Sequence, residues 1–233
     1  MEDESLYENI RLNKAFNNYK KIVDKKLPYK FSYLDEWMLK SSNLLLKETN
    51  KEGKTYRTYK RGTIIKADFG VNMGSEMSQV HFAIVLNKVD NPRNNVLTVL
   101  PLTSKKGKFN LCLKTLIVNK LVEKLEIEAK YLQDELNKIE KEFKKRKISH
   151  KEITNKQETI KVKIDKLLFL INYYKKSLKI TYGCTNLITT ISKARLLKPI
   201  NEYDIIGKAL CPDEVLDIID KDIIQKLTNS KVN

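Results

Sequence analysis

Residues 61–103 read RGTIIKADFGVNMGSEMSQVHFAIVLNKVDNPRNNVLTVLPLT, and the apolar runs in this stretch set the architecture. Thr63-Ile64-Ile65-Lys66-Ala67-Asp68-Phe69 alternates in places and stops at Gly70. Phe82-Ala83-Ile84-Val85-Leu86 has the unbroken apolar texture of a buried strand. Val96-Leu97-Thr98-Val99-Leu100 follows the turn Asp90-Asn91-Pro92-Arg93-Asn94. Short apolar runs bounded by Gly, Pro, Asn and Asp read as strands, because those residues supply the backbone geometry of turns. Strand texture resumes after Gly183 with Thr185-Asn186-Leu187-Ile188-Thr189-Thr190-Ile191. These are the makings of a small β-barrel.

On both sides of this stretch the texture is helical. Leu34, Trp37, Met38, Ser41, Leu44 and Leu45 recur at helix spacing, and Pro28 separates them from an earlier helical segment. The amphipathic stripe reads as a packing annex. Residues from about 119 to 179 read as two long helices. Ile160, Ile164, Leu167, Ile171, Tyr174 and Leu178 alternate steps of four and three, the mark of a helix-helix seam. Leu121, Leu125, Leu132, Leu136, Ile139 and Phe143 supply the facing stripe. Between the helices, Ser149 and Glu152 have capping-box spacing, and His150 falls in the turn as a solvated residue. Two antiparallel helices bring the chain back to its starting point, so the pair can interrupt a barrel between neighbouring strands, and the seam buries its own apolar face. A last amphipathic helix opens at Pro212, Asp213 and Glu214, which suit a first turn. The predicted fold is α+β, a small barrel with a C-terminal helix. It has a helical N-terminal extension over 1–60, a barrel domain over 61–118 and 181–233, and an inserted antiparallel helical hairpin over 119–180.

The 233 residues carry 45 Lys and Arg against 29 Asp and Glu, a net charge of +16. Such a surface draws polyanions by long-range field and counterion release, which makes nucleic acid the leading partner class. The segment 61–118 is the most one-sided, with 8 basic and 3 acidic residues. Cys112, Cys184 and Cys211 are far apart and lack paired metal spacing; they read as reduced core thiols of a cytoplasmic protein. The acidic N-terminus is not a signal peptide, and no apolar run approaches the ~20 residues of a membrane span. No acidic cluster or His/Cys set has metal-ligand spacing, and the few glycines form no nucleotide-binding loop, so no metal or cofactor is expected.

Three pieces together carry a resemblance: 60–70 with Lys60-Arg61-Gly62 at its head, then Gly74-Ser75-Glu76 followed by His81-Phe82-Ala83-Ile84-Val85-Leu86, then Thr98-Val99-Leu100-Pro101-Leu102-Thr103-Ser104-Lys105. In this order and spacing they resemble the MazF/PemK toxins, and Ile191-Ser192-Lys193-Ala194-Arg195-Leu196 is similar to that family's later strand-to-turn motif. The likeness covers roughly 61–114 and 183–227. It implies an SH3-like barrel, usually a homodimer, that cleaves single-stranded RNA without metal and is blocked by a cognate antitoxin. The family pattern has Arg-Pro where this chain has His81-Phe82, while Thr103 matches the family's catalytic threonine.

RNA carries its own nucleophile, the 2′-hydroxyl, so an enzyme need only remove its proton, steady the phosphate and help the 5′-oxygen leave. His81 and Thr103 are the candidate catalytic residues. An imidazole with a pKa near ~6.5 exchanges protons at neutral pH, and whether His81 is acid, base or charge donor stays open. Arg61, Ser75, Glu76, Ser104 and Lys105 are the candidate substrate-binding residues. Arg61 either binds phosphate or pairs with an acidic strand neighbour; Glu76 either shapes the site or orients His81; Lys105, with Lys106 and Lys108, forms a basic run beside Thr103. A different class of reading is a non-enzymatic CcdB-like toxin that binds and poisons a protein target such as gyrase. Fold alone does not separate the two, because function lies in the site.

Overall fold

The computed structural model describes residues 2–49, 55–144, 150–177 and 180–229. Its elements are α1 (Glu2–Asp24), α2 (Leu34–Thr49), β1 (Ile64–Asp68), β2 (Val80–Val85), β3 (Val96–Thr103), β4 (Leu111–Lys114), α3 (Leu116–Lys144), α4 (His150–Ser177), β5 (Thr181–Gly183), β6 (Thr189–Ser192) and α5 (Asp213–Leu227). Ser149 and Leu178, with the side chains of Phe143, His150 and Glu152, lie outside the described residues. The fold is α+β, a six-stranded antiparallel sheet with flanking helices.

β1, β2 and β3 form an antiparallel meander, with Ile64 opposite Ile84 and Ala83 opposite Pro101. Successive side chains of a strand point to opposite faces, and here both faces are covered. Ile64, Phe82, Ile84, Leu100 and Leu102 join one core beneath the helices, while Ile65, Ala67, Ala83, Val85, Leu97 and Val99 join a second on the other side. Burial on both faces explains why the strands read as near-continuous apolar runs rather than as clean alternation. The far edge of β3 is shared. Its first half pairs with β6, Val96 opposite Ser192, and its last residues pair with β5, Leu102 opposite Gly183. The outer edge of β1 is covered by single bridges, Ala67 to Leu196 and Thr63 to Leu210.

β4 and β5 escape a reading of the sequence, being four and three residues long, too short to show a period. They pair with each other, and Lys114 stands opposite Thr181. The helical pair α3–α4 therefore leaves and rejoins the sheet at one strand pair, where a tight turn would otherwise serve. Its seam buries Leu121, Leu125, Leu132, Leu136 and Ile139 against Ile153, Ile160, Leu167 and Ile171. The base of that seam is not self-contained, unlike the sequence expectation. Ile117, Leu121, Leu167, Leu170 and Tyr174 belong to the same apolar cluster as Ile64, Phe82 and Leu100, and the Tyr174 hydroxyl donates to the buried Asp204 carboxylate of the segment before α5. α5 starts after Pro212 and buries Val215 and Ile219.

Cys184 and Cys211 are buried thiols, pushed up to about 11 and about 12 by burial, with Asp213 and Glu214 adding to the second. Cys112 is exposed on β4, because it occupies the outward position next to buried Leu113. It is not the core thiol that the sequence suggests. Lys193, in the turn after β6, is buried in an ion pair with buried Asp90 at 2.8 Å. Among the described residues, no helix is long and apolar enough to cross a membrane.

The shared core makes a testable demand. Leu167→Ala removes a fully buried side chain where seam and sheet meet and should cost ~2–5 kcal/mol in urea denaturation. Shortening the distal ends of α3 and α4 around 140–156 should leave a single cooperative transition. A Leu167→Ala loss under about 1 kcal/mol would show instead that the helices and the sheet pack independently.

Candidate active site

His81 is the second residue of β2 and Thr103 the last of β3. The ladder from Val85–Val99 to Ala83–Pro101, extended by two residues, puts His81 across from Thr103, with both side chains on one face. His81 Nδ1 lies 3.1 Å from the carbonyl oxygen of Leu102. A carbonyl can only accept, so Nδ1 carries the proton and the neutral ring keeps its lone pair on Nε2. Burial pushes the His81 pKa below the usual imidazole value; backbone contacts at Leu102 and Ser78 oppose that, and Lys105 adds to it. His81 is therefore neutral at pH 7, the form a base requires. The Phe69 ring meets the imidazole edge-on, with centroids 6.4 Å apart.

These two residues open on a cleft of about 360 Å³ whose walls include Lys66, His81, Thr103, Ser104, Tyr173 and Ser177. The Thr103 hydroxyl oxygen accepts the Lys105 N–H at 3.2 Å, which leaves its own O–H to donate. Ser104 and Lys105 are exposed at the cleft's end. The Lys105 ammonium sits 5.5 Å from the ring centroid of Tyr29, from the N-terminal segment. Ser75 is exposed at the tip of the β1–β2 loop. Glu76 lines a separate depression of about 270 Å³, together with Asn72 and Arg195.

Arg61 faces elsewhere. Its guanidinium bonds the Asp220 carboxylate of α5 and the Leu86 carbonyl, so of its two expected roles the structure displays the acidic pairing, with a partner on the last helix rather than on a neighbouring strand. The candidates thus fall into a group lining the cleft (His81, Thr103, Ser104) with Lys105 next to it in sequence, a loop group (Ser75, Glu76) of which Glu76 lines the separate depression, and Arg61 apart. Lys66, Tyr173 and Ser177 line the same cleft and were not singled out from sequence. Tyr173 is one place off the helix seam occupied by Tyr174, and an aromatic next to a seam is the one local hint it left.

The N-terminal segment holds the β1–β2 loop. Lys30 Nζ donates to the carbonyls of Asn72 and Gly74 at 2.6 and 2.8 Å, and Gln79 Nε2 donates to the Tyr29 carbonyl at 3.1 Å. Gly70 has φ +73°, and a Cβ there would meet the Trp37 ring of α2 at 2.4 Å. The Arg195 guanidinium carbon lies over the Trp37 ring, 4.7 Å from its centroid. Asp68, fully buried, accepts from Tyr33 Oη at 2.6 Å, from the Gly70 N–H at 2.8 Å and from Lys40 Nζ. Burial alone would raise its pKa, but the bonds from Lys40, Tyr33 and Gly70 together outweigh burial and hold it below the ordinary value.

The sheet and the cleft define a small basic α+β protein with a neutral histidine facing a threonine. Residues 60–168 match the family model described as PemK-like, MazF-like toxin of type II toxin-antitoxin system. Through that segment, which runs from just before β1 into α4, the chain is similar to the PemK/MazF toxins of type II toxin-antitoxin systems. The stretch 183–227, which carries the later part of the sequence likeness, lies outside the matched span. Comparison with curated proteins finds no match. Among the described residues there is no group of three or more His, Cys, Asp and Glu able to hold a metal ion.

Because the folded-state pKa of Asp68 is depressed, its pairing stabilises the fold fully above the unfolded carboxyl value near ~3.9 and is lost as pH falls through the lower folded value. Lys40→Met should thus cost on the order of 1–3 kcal/mol near neutral pH. That difference from the wild type should shrink below pH ~4. Denaturation curves at both pH values measure it, and an unchanged gap at low pH would assign the effect of Lys40 to packing.

Proposed function

We propose that the protein is the toxin of a type II toxin-antitoxin pair and acts as a metal-independent endoribonuclease on single-stranded RNA. The observation that carries this reading is that His81, with its pKa lowered by burial, and Thr103 line one cleft that Lys66 also lines. Nε2 of His81 takes the proton of the 2′-hydroxyl. The 2′-oxygen attacks phosphorus, and the bond from phosphorus to the 5′-oxygen breaks, with a proton from water completing the departing hydroxyl. The products are a 2′,3′-cyclic phosphate and a free 5′-hydroxyl. Thr103 donates its hydroxyl hydrogen to a non-bridging oxygen where negative charge grows, and Lys105 lends positive potential close by.

The family's usual Arg would supply charge without taking a proton; the imidazole here can do both, and its depressed pKa favours the base. The finer architecture follows the same reading. Ala67–Leu196 and Thr63–Leu210 carry the outer edge of β1 round to the chain after β6, which supports a closed SH3-like barrel over 61–118 and 181–233. The hairpin 119–180 is then an insertion and 1–60 an extension. A homodimer, a cognate antitoxin that covers the cleft and a cytoplasmic location complete the proposal.

Purified full-length protein, incubated with long single-stranded RNA in chelator, should cut it and leave cyclic phosphate ends, while the matching DNA stays whole. His81→Ala and His81→Arg should each lose on the order of 10²-fold or more in rate, the usual span for general acid-base catalysis. The wild-type rate should climb with pH to a plateau, with a midpoint below ~6.5. A rate that falls across that range, or a fully active His81→Arg, would make His81 a charge donor. No cleavage by the wild type, with tight capture of a protein target, would favour the non-enzymatic toxin.

A further inference from the structure

Lys66 is an anomaly of β1. Its strand neighbours Ile65 and Ala67 are buried, yet its ammonium reaches the cleft wall and donates to the Tyr173 hydroxyl at 2.6 Å. It lies 5.1 Å from the Tyr173 ring centroid and 5.8 Å from that of Phe82. Among the described residues no carboxylate pairs with it. Aromatic rings attract a cation through their faces, and two of the three N–H donors of the Lys66 ammonium are left for a ligand. Tyr173 is held in place from behind, since its ring meets Tyr174 edge-on at 5.3 Å and Tyr174 is buried with its hydroxyl on Asp204. The ring of Tyr173 itself is half-buried and lines the same cleft as His81 and Thr103.

We propose that Lys66 and Tyr173 form a nucleotide subsite adjoining the reacting phosphate, Lys66 binding a backbone phosphate and Tyr173 stacking on a base. The inserted helix α4 thereby takes part in selecting the RNA. A cation with a neighbouring aromatic face is the combination that holds single-stranded nucleic acid, because each phosphate needs charge and each unstacked base needs a π-surface. The subsite rests on the ribonuclease reading for its position in the reaction, but not for its chemistry, which predicts binding even without cleavage.

The test uses the full chain with Tyr173→Phe, Tyr173→Leu and Lys66→Met. Cleavage of a single-stranded RNA gives kcat and KM, and fluorescence anisotropy with a short, uncleavable 2′-O-methyl oligoribonucleotide gives affinity. Tyr173→Phe keeps the ring and should stay within about twofold of the wild type in KM, whereas Tyr173→Leu, which retains apolar bulk, should raise KM and weaken binding about tenfold with little change in kcat, the scale of one lost stack. The preferred nucleotide beside the cut should also relax in Tyr173→Leu. Lys66→Met should flatten the dependence of log affinity on log salt by about 0.7, one phosphate contact on a single strand. A melting curve on each variant reports folding separately. If Leu and Phe at 173 behave alike and the salt slope of Lys66→Met is unchanged, the pair only props the hairpin on the sheet and the subsite is refuted. If the wild type cuts nothing but binds the oligonucleotide and loses it in Tyr173→Leu, the ribonuclease reading fails while the subsite stands. If it neither cuts nor binds, both fail.

Discussion

The pairing of β2 with β3 is the constraint on which the rest of the molecule depends. Ala83, Ile84 and Val85 face Pro101, Leu100 and Val99, and these side chains alternate between two separate cores. A slip of one residue would send every one of them to the opposite core. With apolar packing on both sides, such a slip would also put the half-buried His81 where Phe82 sits. The register that satisfies the two cores is therefore the register that sets His81 across from Thr103. The placement of the two cleft residues thus comes from hydrophobic packing two residues away.

A sheet with both faces committed has little room for new elements, and the chain adds them at its margins. The helical pair α3–α4 grows from the β4–β5 connection, where Lys114 and Thr181 already stand opposite each other, so its insertion leaves strand spacing unchanged. Having entered there, its base covers Ile64, Phe82 and Leu100, and the last turns of α4 come down beside β1. That approach brings Tyr173 to Lys66. The N-terminal segment uses the other margin, the β1–β2 loop, where Gly70 leaves space for Trp37 and buried Asp68 gathers Tyr33 and Lys40. A carboxylate with no solvent needs such partners, since an unpaired buried charge costs several kcal/mol (~3–5). The hairpin thus reaches the cleft, while the N-terminal segment braces the β1–β2 loop.

The distribution of charge follows from the same packing. The excess of +16 marks the whole chain, yet individual cations serve different ends. Lys193 is consumed by Asp90, Arg61 by Asp220 and Lys40 by Asp68, all three in the interior or at seams between elements. Lys66 lies against the Tyr173 ring at the cleft, and Lys105 over that of Tyr29. Basic residues next to one another in sequence are therefore poor guides to which of them meet a polyanion.

Local pattern was enough to read three strands, the paired long helices and the last helix after Pro212. Each of these depends on residues within one turn or one strand of each other, and burial on a given face leaves its mark as periodicity. Folding settled the rest. β4 and β5 are too short to carry a period and exist because their neighbours pair with them. Lys66 meets Tyr173 across 107 residues of chain, and Arg61 meets Asp220 across 159. A side chain's charge or aromaticity is written in the sequence, but its partner is chosen by the packing of distant elements. That is why Arg61 could be read equally as a phosphate ligand or half of an ion pair, and why the wall of the cleft built by α4 became visible only once the hairpin was laid against the sheet.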